Sequence, residues 1–348
     1  TSSLVGSEMC IRDRYNGNKR LKTIQQEKLN NQMAELDVAT SENNIQESIA
    51  QVYIQILYAA ESVKVNENTL QVSIAQRDRG QELLNAGSIA KSDLAQLEAQ
   101  VSTDRYQLVT AQATLEDYKL QLKQLLELDG ENEMNIYLPA LSDENVLAPL
   151  PTKRDVYISA LSLRPEIEAS KLNVEASELG INIAKSSYFP TISLSAGIGT
   201  NHTSGSDFTF GEQVKNGWNN SIGLSVSVPI FNNRQTKSAV QKAKLQYETS
   251  MLSLLDEQKA LYKTIESLWL DANSAQQRYA AANEKLKSTQ ISYELISEQF
   301  NLGMKNTVEL LTEKNNLLQA QQEQLQAKYM AILNTQLLKF YQGDQLAL

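Results

Sequence analysis

Cysteine and histidine are nearly absent from this 348-residue chain, where Cys10 and His202 each stand alone. One thiol excludes a disulfide framework and a cysteine zinc cluster. One imidazole, in an expected polar loop, excludes a histidine-based triad or a multi-histidine metal site within one chain. There is no nucleotide-binding glycine motif. Basic excess is missing as well: 32 Lys and Arg face 41 Asp and Glu, a formal charge of −9, with both signs mixed along the chain. A nucleic-acid groove therefore has no electrostatic footprint here. No run of 18 apolar residues occurs, so no membrane-crossing helix and no signal peptide is recognisable, and any contact with a membrane falls to strands. The remaining acidic residues lie mainly between apolar seam positions, as on a solvated helix face. No enzyme activity, cofactor or metal site is expected.

Proline is also scarce, six in all, and none falls within 15–84 or 234–303. What fills those stretches is periodic. From Val240, alternate steps of four and three reach Lys244, Tyr247, Met251, Leu254, Gln258, Leu261, Ile265, Leu268, Ala272, Ala275, Tyr279, Ala282, Leu286, Thr289, Tyr293, Ile296 and Phe300. All but Lys244, Gln258 and Thr289 are apolar or alanine. The spacing predicts one helix of about 70 residues and about 100 Å, too long to be wrapped inside a compact domain and lying against other helices. The hydrophobic share of 41%, with Gln, Ala, Leu, Asn and Ser abundant, suits long helices with a wet side.

The same ladder runs through Ile45, Ile49, Val52, Ile56, Ala59 and Val63. After Asn85-Ala-Gly87-Ser88 the pattern returns at sevens through Leu94, Val101, Leu108, Leu115 and Leu122, flanked by Leu97, Ala111, Tyr118 and Leu125. A helix, a glycine turn and a returning helix make an antiparallel hairpin. Tyr15-Asn16 lies 216 residues before Phe231-Asn232, Tyr53 before Trp269, Leu84 before Phe300 and Gly87 before Gly303. Leu311, Leu318, Leu325 and Ile332 then repeat the return leg, so the chain is a tandem duplication. Tyr53 and Trp269 read as packing residues of the long helices.

Between the copies the text changes. Residues 129–153 hold Pro139, Pro149 and Pro151 and read as an irregular connector. A short helical patch at 155–163 precedes Arg164-Pro165-Glu166, which starts a helix running to about 187. Two alternating segments of about ten residues follow, at 191–200 and 221–230, a length suited to crossing a bilayer as tilted strands. Tyr188 and Phe189 precede the first, Phe208, Phe210 and Trp218 lie in or after the polar loop 201–220, and Phe231 follows the second, as an interfacial aromatic girdle would be placed. On alternation alone, a soluble hairpin with one packed face reads equally well. Residues 1–14, TSSLVGSEMCIRDR, show neither helical nor strand period and read as a non-native or disordered leader.

Phe189-Pro190-Thr-Ile-Ser-Leu, Val228-Pro229-Ile230-Phe231-Asn232 before the long helix, the tips Leu84-Asn-Ala-Gly87-Ser88 and Phe300-Asn-Leu-Gly303-Met304, and Arg164-Pro165-Glu166 together resemble the TolC-like outer-membrane efflux proteins over residues 15–343. The resemblance implies a mainly α fold, a tandem repeat of long antiparallel helical hairpins with a short transmembrane β-hairpin contributing to a trimeric β-barrel. It further implies a homotrimer in the outer membrane of a Gram-negative bacterium, in contact with outer-membrane lipid. A periplasmic adaptor (membrane fusion) protein and an inner-membrane pump would engage the tips. On that pattern the chain divides into the leader 1–14, a first long helix, tip and return helix 15–128, an equatorial connector 129–165, a short helix 166–189, the β-hairpin 190–230, a second long helix, tip and return helix 231–343, and a tail 344–348. Family members carry a strand pair before each long helix. Only the second pair is legible here, so the chain is expected to be an N-terminally truncated fragment.

What the resemblance implies for function is a conduit and gate, passing substrate from periplasm and pump to the exterior. The channel constriction would hold Asp93, Glu309 and Lys305, and carboxylate rings repeated by three-fold symmetry would favour cations. The family's second acid, three positions after Glu309, is replaced by Thr312, with Glu313 adjacent. The tip turns and adaptor contact would use Leu84, Gly87, Ser88, Phe300, Gly303 and Met304, and the membrane interface Tyr188, Phe189, Trp218 and Phe231. Asp93 and Glu309 serve equally well as caps of their helices. A soluble coiled-coil scaffold explains the seams but not the hairpin, and a periplasmic adaptor would need short-strand modules that are not found. The transported substrate is written in no motif.

Overall fold

In the computed structural model of the chain, residues 4–128, 136–137, 146–203, 205 and 207–346 are described. Much of the expected connector, at 129–135 and 138–145, and the end of the tail lie outside the described residues. The order is β1 (Leu4–Asn16), α1 (Lys19–Asn85), α2 (Lys91–Leu125), α3 (Lys153–Leu163), α4 (Pro165–Lys185), a 3-10 turn (Ser186–Tyr188), β2 (Thr191–Thr203), α5 (Phe210–Asn216), β3 (Asn219–Ser227), α6 (Gln235–Asn301) and α7 (Thr307–Gln342). The fold is the expected one, long helices with a small antiparallel sheet. Two units are distinguished: Thr1–Val38 with Pro165–Gln258, and Ala39–Arg164 with Lys259–Leu348.

The 216-residue repeat governs backbone geometry to the residue. Both long helices hold 67 residues, and α1, α2 begin 216 before α6, α7. Each long helix ends on a glycine with φ of +75°, Gly87 and Gly303. At each, two amide groups fold back onto the last turn: Gly87 N–H to Leu84 O and Ser88 N–H to Leu83 O, then Gly303 N–H to Phe300 O and Met304 N–H to Gln299 O, all within 2.8–2.9 Å. This pair of bonds satisfies carbonyls that the helix end would leave open, and it needs a left-handed residue. The return helices close the same way on Glu127 and Gly343, again 216 apart, with φ of +51° and +101°. Left-handed pairs also lead into both long helices, Gly17-Asn18 and Asn233-Arg234.

The first unit contains the sheet, in the order β1-β2-β3. Ile192, Leu194 and Ala196 of β2 stand opposite Val226, Leu224 and Ile222 of β3, while Ser193 and Ser195 stand opposite Ser225 and Gly223. One face is thus aliphatic and the other small and polar, and β3 is exposed along its whole length. The expectation of a leader without strand structure is corrected here: β1 pairs with β2 from Leu4 opposite Thr203 to Asn16 opposite Thr191. Ladder bonds are made by the backbone, so the open edge of β2 accepts a segment whose side chains do not alternate. Tyr15 and Asn16 accordingly end a strand rather than begin a helix, and the sheet has three strands rather than two. The loop expected at 201–220 is corrected too, since α5 forms within it. Thr209 N–H and its hydroxyl both donate to Glu212 Oε2, at 3.0 and 2.8 Å, a start signal legible as Thr-Phe-Gly-Glu.

The second unit holds the core. Ile54, Leu57, Val146, Ala275, Tyr279, Ala327, Ile332 and Leu337 are buried together. A smaller cluster of Leu97, Phe300 and Leu310, with Leu83, Tyr293 and Ile296 against it, joins the two tips. A Cβ on Gly80 would come within 2.4 Å of the tip of the Leu97 side chain, so a larger residue there would have to push Leu97 aside. Arg164 is buried, paired with Glu47 at 3.2 Å and stacked 4.2 Å from the Tyr341 ring centre.

Candidate functional site

The two tips are the sites that the repeat builds twice. At the second, Asn306 caps α7: Glu309 N–H donates to Asn306 Oδ1 at 2.9 Å and Asn306 N–H to Glu309 Oε2 at 3.2 Å. Lys305 Nζ lies 2.5 Å from Glu309 Oε1. The hydrogen bond from Lys305, then that from the Asn306 backbone, holds the Glu309 carboxyl below the usual carboxylate range. At the first tip Ala90 offers no side-chain acceptor, and only the return bond remains, Ala90 N–H to Asp93 Oδ2 at 3.0 Å. Lys305, in the turn just before α7, thus pairs with Glu309 of its own tip and not with Asp93. Glu313 turns toward α6 and accepts from Ser292 Oγ at 2.9 Å, while the Thr312 hydroxyl bonds back to Val308 O.

Of the tip residues, Gly87, Ser88, Gly303 and Met304 are exposed and Leu84 is half-buried. Phe300 is 3% exposed and packs on Leu97 and Leu310, so it holds the tip together and is not available as a contact, which corrects its expected place on the surface. Leu302 and Val308, beside Met304, are exposed apolar side chains that the sequence reading passed over. Sitting one residue before the turn glycine Gly303 and two after the cap Asn306, they fall outside the seam pattern.

Further along the hairpins, Tyr53 and Trp269 are more than packing residues. The Tyr53 hydroxyl donates to Tyr137 O at 2.7 Å and Trp269 Nε1 to Pro151 O at 2.9 Å. Gln276 Nε2 adds Val146 O and Ala148 O, and Lys153 bonds Glu266 at 3.0 Å above the Trp269 ring. Repeat-equivalent aromatics thus bond to two points of the same connector, Tyr137 and Pro151. Between α6 and α7 a groove of about 550 Å³ is lined by Ala275, Ala282, Ala327 and Met330, with Asp271 and Arg278 on its polar side.

In the sheet, Tyr188, Phe189 and Phe231 flank the end where Thr191 pairs with Ser227, and Trp218 flanks the end where Gly199 pairs with Asn219. All four are exposed. Eight residues separate those levels on β2, about 27 Å along the strand, which at the tilt of about 35–45° usual in outer-membrane barrels rises about 20 Å, most of their apolar band of about 25 Å. No helix among the described residues is long and apolar enough to cross a membrane. No group of three His, Cys, Asp or Glu among them is placed to hold a metal ion.

Comparison with known proteins agrees with this geometry. A family model described as outer membrane efflux protein matches residues 156–343, more than half of the chain. The outer membrane efflux protein BepC of Brucella suis biovar 1 is 24% identical over 294 residues, 84% of this chain and 61% of the relative. The outer membrane protein TolC of Escherichia coli K12 is 24% identical over 294 residues, 82% of this chain and 58% of the relative. The chain thus spans about three fifths of the length of these relatives. Among solved structures, CusC superposes with a TM-score of 0.83 at 17% identity, covering 99% of this chain and 84% of its own. The outer membrane protein VceC of Vibrio cholerae gives 0.78 at 15% identity, covering 100% and 88%.

Proposed function

The chain belongs to the outer membrane efflux protein family, and from that premise we propose that three copies of it form an exit duct of the Gram-negative outer membrane. The sheet contributes to the barrel and the repeated hairpins to a periplasmic tunnel wall. What most supports this reading is one conjunction: an exposed aliphatic sheet of bilayer length, bordered by aromatics at both ends, in a chain whose two hairpins end on matching glycine turns. The sheet suits lipid and the tips suit a mouth.

Asp93 and Glu309, three-fold repeated, would ring that mouth, with Lys305 setting how much of the Glu309 charge faces the passing ion. The exposed Leu302, Met304 and Val308 with Gly87 and Ser88 form the surface for a periplasmic adaptor, and an inner-membrane pump delivers the substrate. The aromatics Tyr188, Phe189, Trp218 and Phe231 sit at lipid headgroup level. Expressed from its full gene in a Gram-negative host, the protein is expected in the outer-membrane fraction as a heat-modifiable trimer that conducts cations in planar bilayers. Recovery as a soluble monomer would overturn the reading. Glu309→Lys with Asp93→Lys should lower cation selectivity; selectivity equal to the unaltered protein would leave both residues as helix caps alone.

A further inference from the structure

Two charged residues of the second unit are set apart by burial: the side chains of Asp104 and Lys314 are 1% and 3% exposed. They lie on different hairpins, Asp104 within α2 and Lys314 two turns into α7, and Ser73 of α1, also buried, joins them. The Lys314 ammonium donates to Asp104 Oδ2 and to Ser73 Oγ, and the Ser73 hydroxyl donates to the same carboxylate oxygen. The other oxygen, Oδ1, accepts from Gln100 Nε2 at 2.9 Å, and Gln100 also approaches Asn315 Oδ1 of α7 at 3.5 Å. Burial pushes the Lys314 ammonium below the ordinary lysine range, against the opposing pull of Asp104.

Apolar side chains of similar size would fill such a site at equal or better stability, so a dry ion pair is a poor way to gain stability and a good way to fix which residues meet. A leucine-and-alanine seam can slide by a turn, whereas this one cannot slide without stranding two ions. The repeat sharpens the point. Shifted by 216, Ser73, Asp104 and Lys314 correspond to Thr289, Ala320 and Glu98, so the duplicated seam has no counterpart. The device is specific to the contact of α7 with α1 and α2.

We propose that Ser73, Asp104 and Lys314 form a pin that fixes α7 to the first hairpin within one chain, so that movement at the tips is confined to the segments between the pin and the two glycine turns. That leaves about 10 Å of α7 and about 20 Å of α1 and of α2 free to part. Tipward of the pin the hairpins meet through the apolar cluster of Leu97, Phe300 and Leu310 and a hydrogen bond from Gln76 Nε2 to the Tyr293 hydroxyl at 2.8 Å, which can part without exposing a charge. What the movement opens rests on the duct reading; the pin itself does not.

The test uses the full-length protein and compares it with Asp104→Leu/Lys314→Met, which removes both ions and strands neither. Amide exchange at 315–325, beyond the pin, is expected to rise roughly tenfold as the free segment lengthens. Single-channel conductance is expected to rise roughly twofold as the mouth gives way further back. Unchanged exchange overturns the pin whatever the conductance does. Raised exchange with unchanged conductance, in a protein that conducts before substitution, overturns its control of opening. If the unaltered protein does not conduct, the duct reading fails and exchange alone decides the pin. Should the double variant not assemble, Asp104→Asn/Lys314→Gln, which keeps hydrogen-bonding groups without the charges, is read by the same outcomes.

Discussion

At the first tip α1 closes on Gly87 and α2 starts at Lys91; 216 residues on, α6 closes on Gly303 and α7 starts at Thr307, with the same φ at both glycines. Around this shared backbone the side chains have diverged. Leu84 stands where Phe300 is buried, Ile89 where Lys305 pairs with Glu309, Ala90 where Asn306 caps, and Glu98 where Lys314 enters the seam. Local geometry, set by a left-handed glycine and an extended cap residue, is satisfied inside each copy and so survives duplication. Charge pairs depend on what each copy meets: shifted by 216, neither Lys305–Glu309 nor Asp104–Lys314 has a counterpart pair.

The largest effect on this comparison comes from the part that is shared. A Cβ added to Gly87 or Gly303 meets nothing within 4 Å, so the whole cost of Gly87→Ala or Gly303→Ala is backbone strain. Each is expected to lower stability by about 1–2 kcal/mol, equally at the two tips, measured by the shift of a denaturant midpoint. A clear inequality would mean that the tips are not equivalent even in backbone. A smaller effect comes from what differs. Asn306→Ala should cost about 1 kcal/mol by removing the acceptor for Glu309 N–H, and Ala90→Asn should recover about 0.5–1 kcal/mol at the first tip by supplying one. If Ala90→Asn is neutral or harmful, its side chain is excluded from the geometry that Asn306 adopts.

Much of this architecture was legible because long helices announce themselves by period and duplications by offset. Val240, Ile265, Ala272, Tyr279 and Phe300 of the expected seam are buried, but Met251 is exposed, because period marks which face is apolar and not what covers it. β1 was illegible for the opposite reason: its pairing is made by backbone, which carries no side-chain code. The α5 start was readable as a capping box and was hidden by the polarity of its surroundings. The pin also left a trace. Asp104 stands seven residues after Leu97 and Lys314 lies between Leu311 and Leu318, so both occupy seam positions where an apolar residue belongs. A charge inside a heptad seam asks for a partner; that the two were each other's, on helices 210 residues apart, took the fold to show.

The smallest effect concerns the second tip alone. Glu309 is held below the usual carboxylate range chiefly by the Lys305 hydrogen bond, and Ile89 stands at the position of Lys305 in the first copy. A carboxyl whose folded pKa is depressed favours the folded tip above its unfolded pKa, and that contribution is lost as pH falls through the folded value. Lowering the pH from about 5 to about 3 should therefore loosen the second tip, read as faster amide exchange at 303–309 after correction for the intrinsic rate. The Glu309 side chain is 40% exposed, so the change is modest and salt-sensitive. Lys305→Met should move the loss to higher pH by removing the main cause of the depression, and Glu309→Gln should abolish it. An unshifted profile in Lys305→Met would assign the acid sensitivity to the Asn306 cap alone, and Lys305 would then have no part in setting the charge of Glu309.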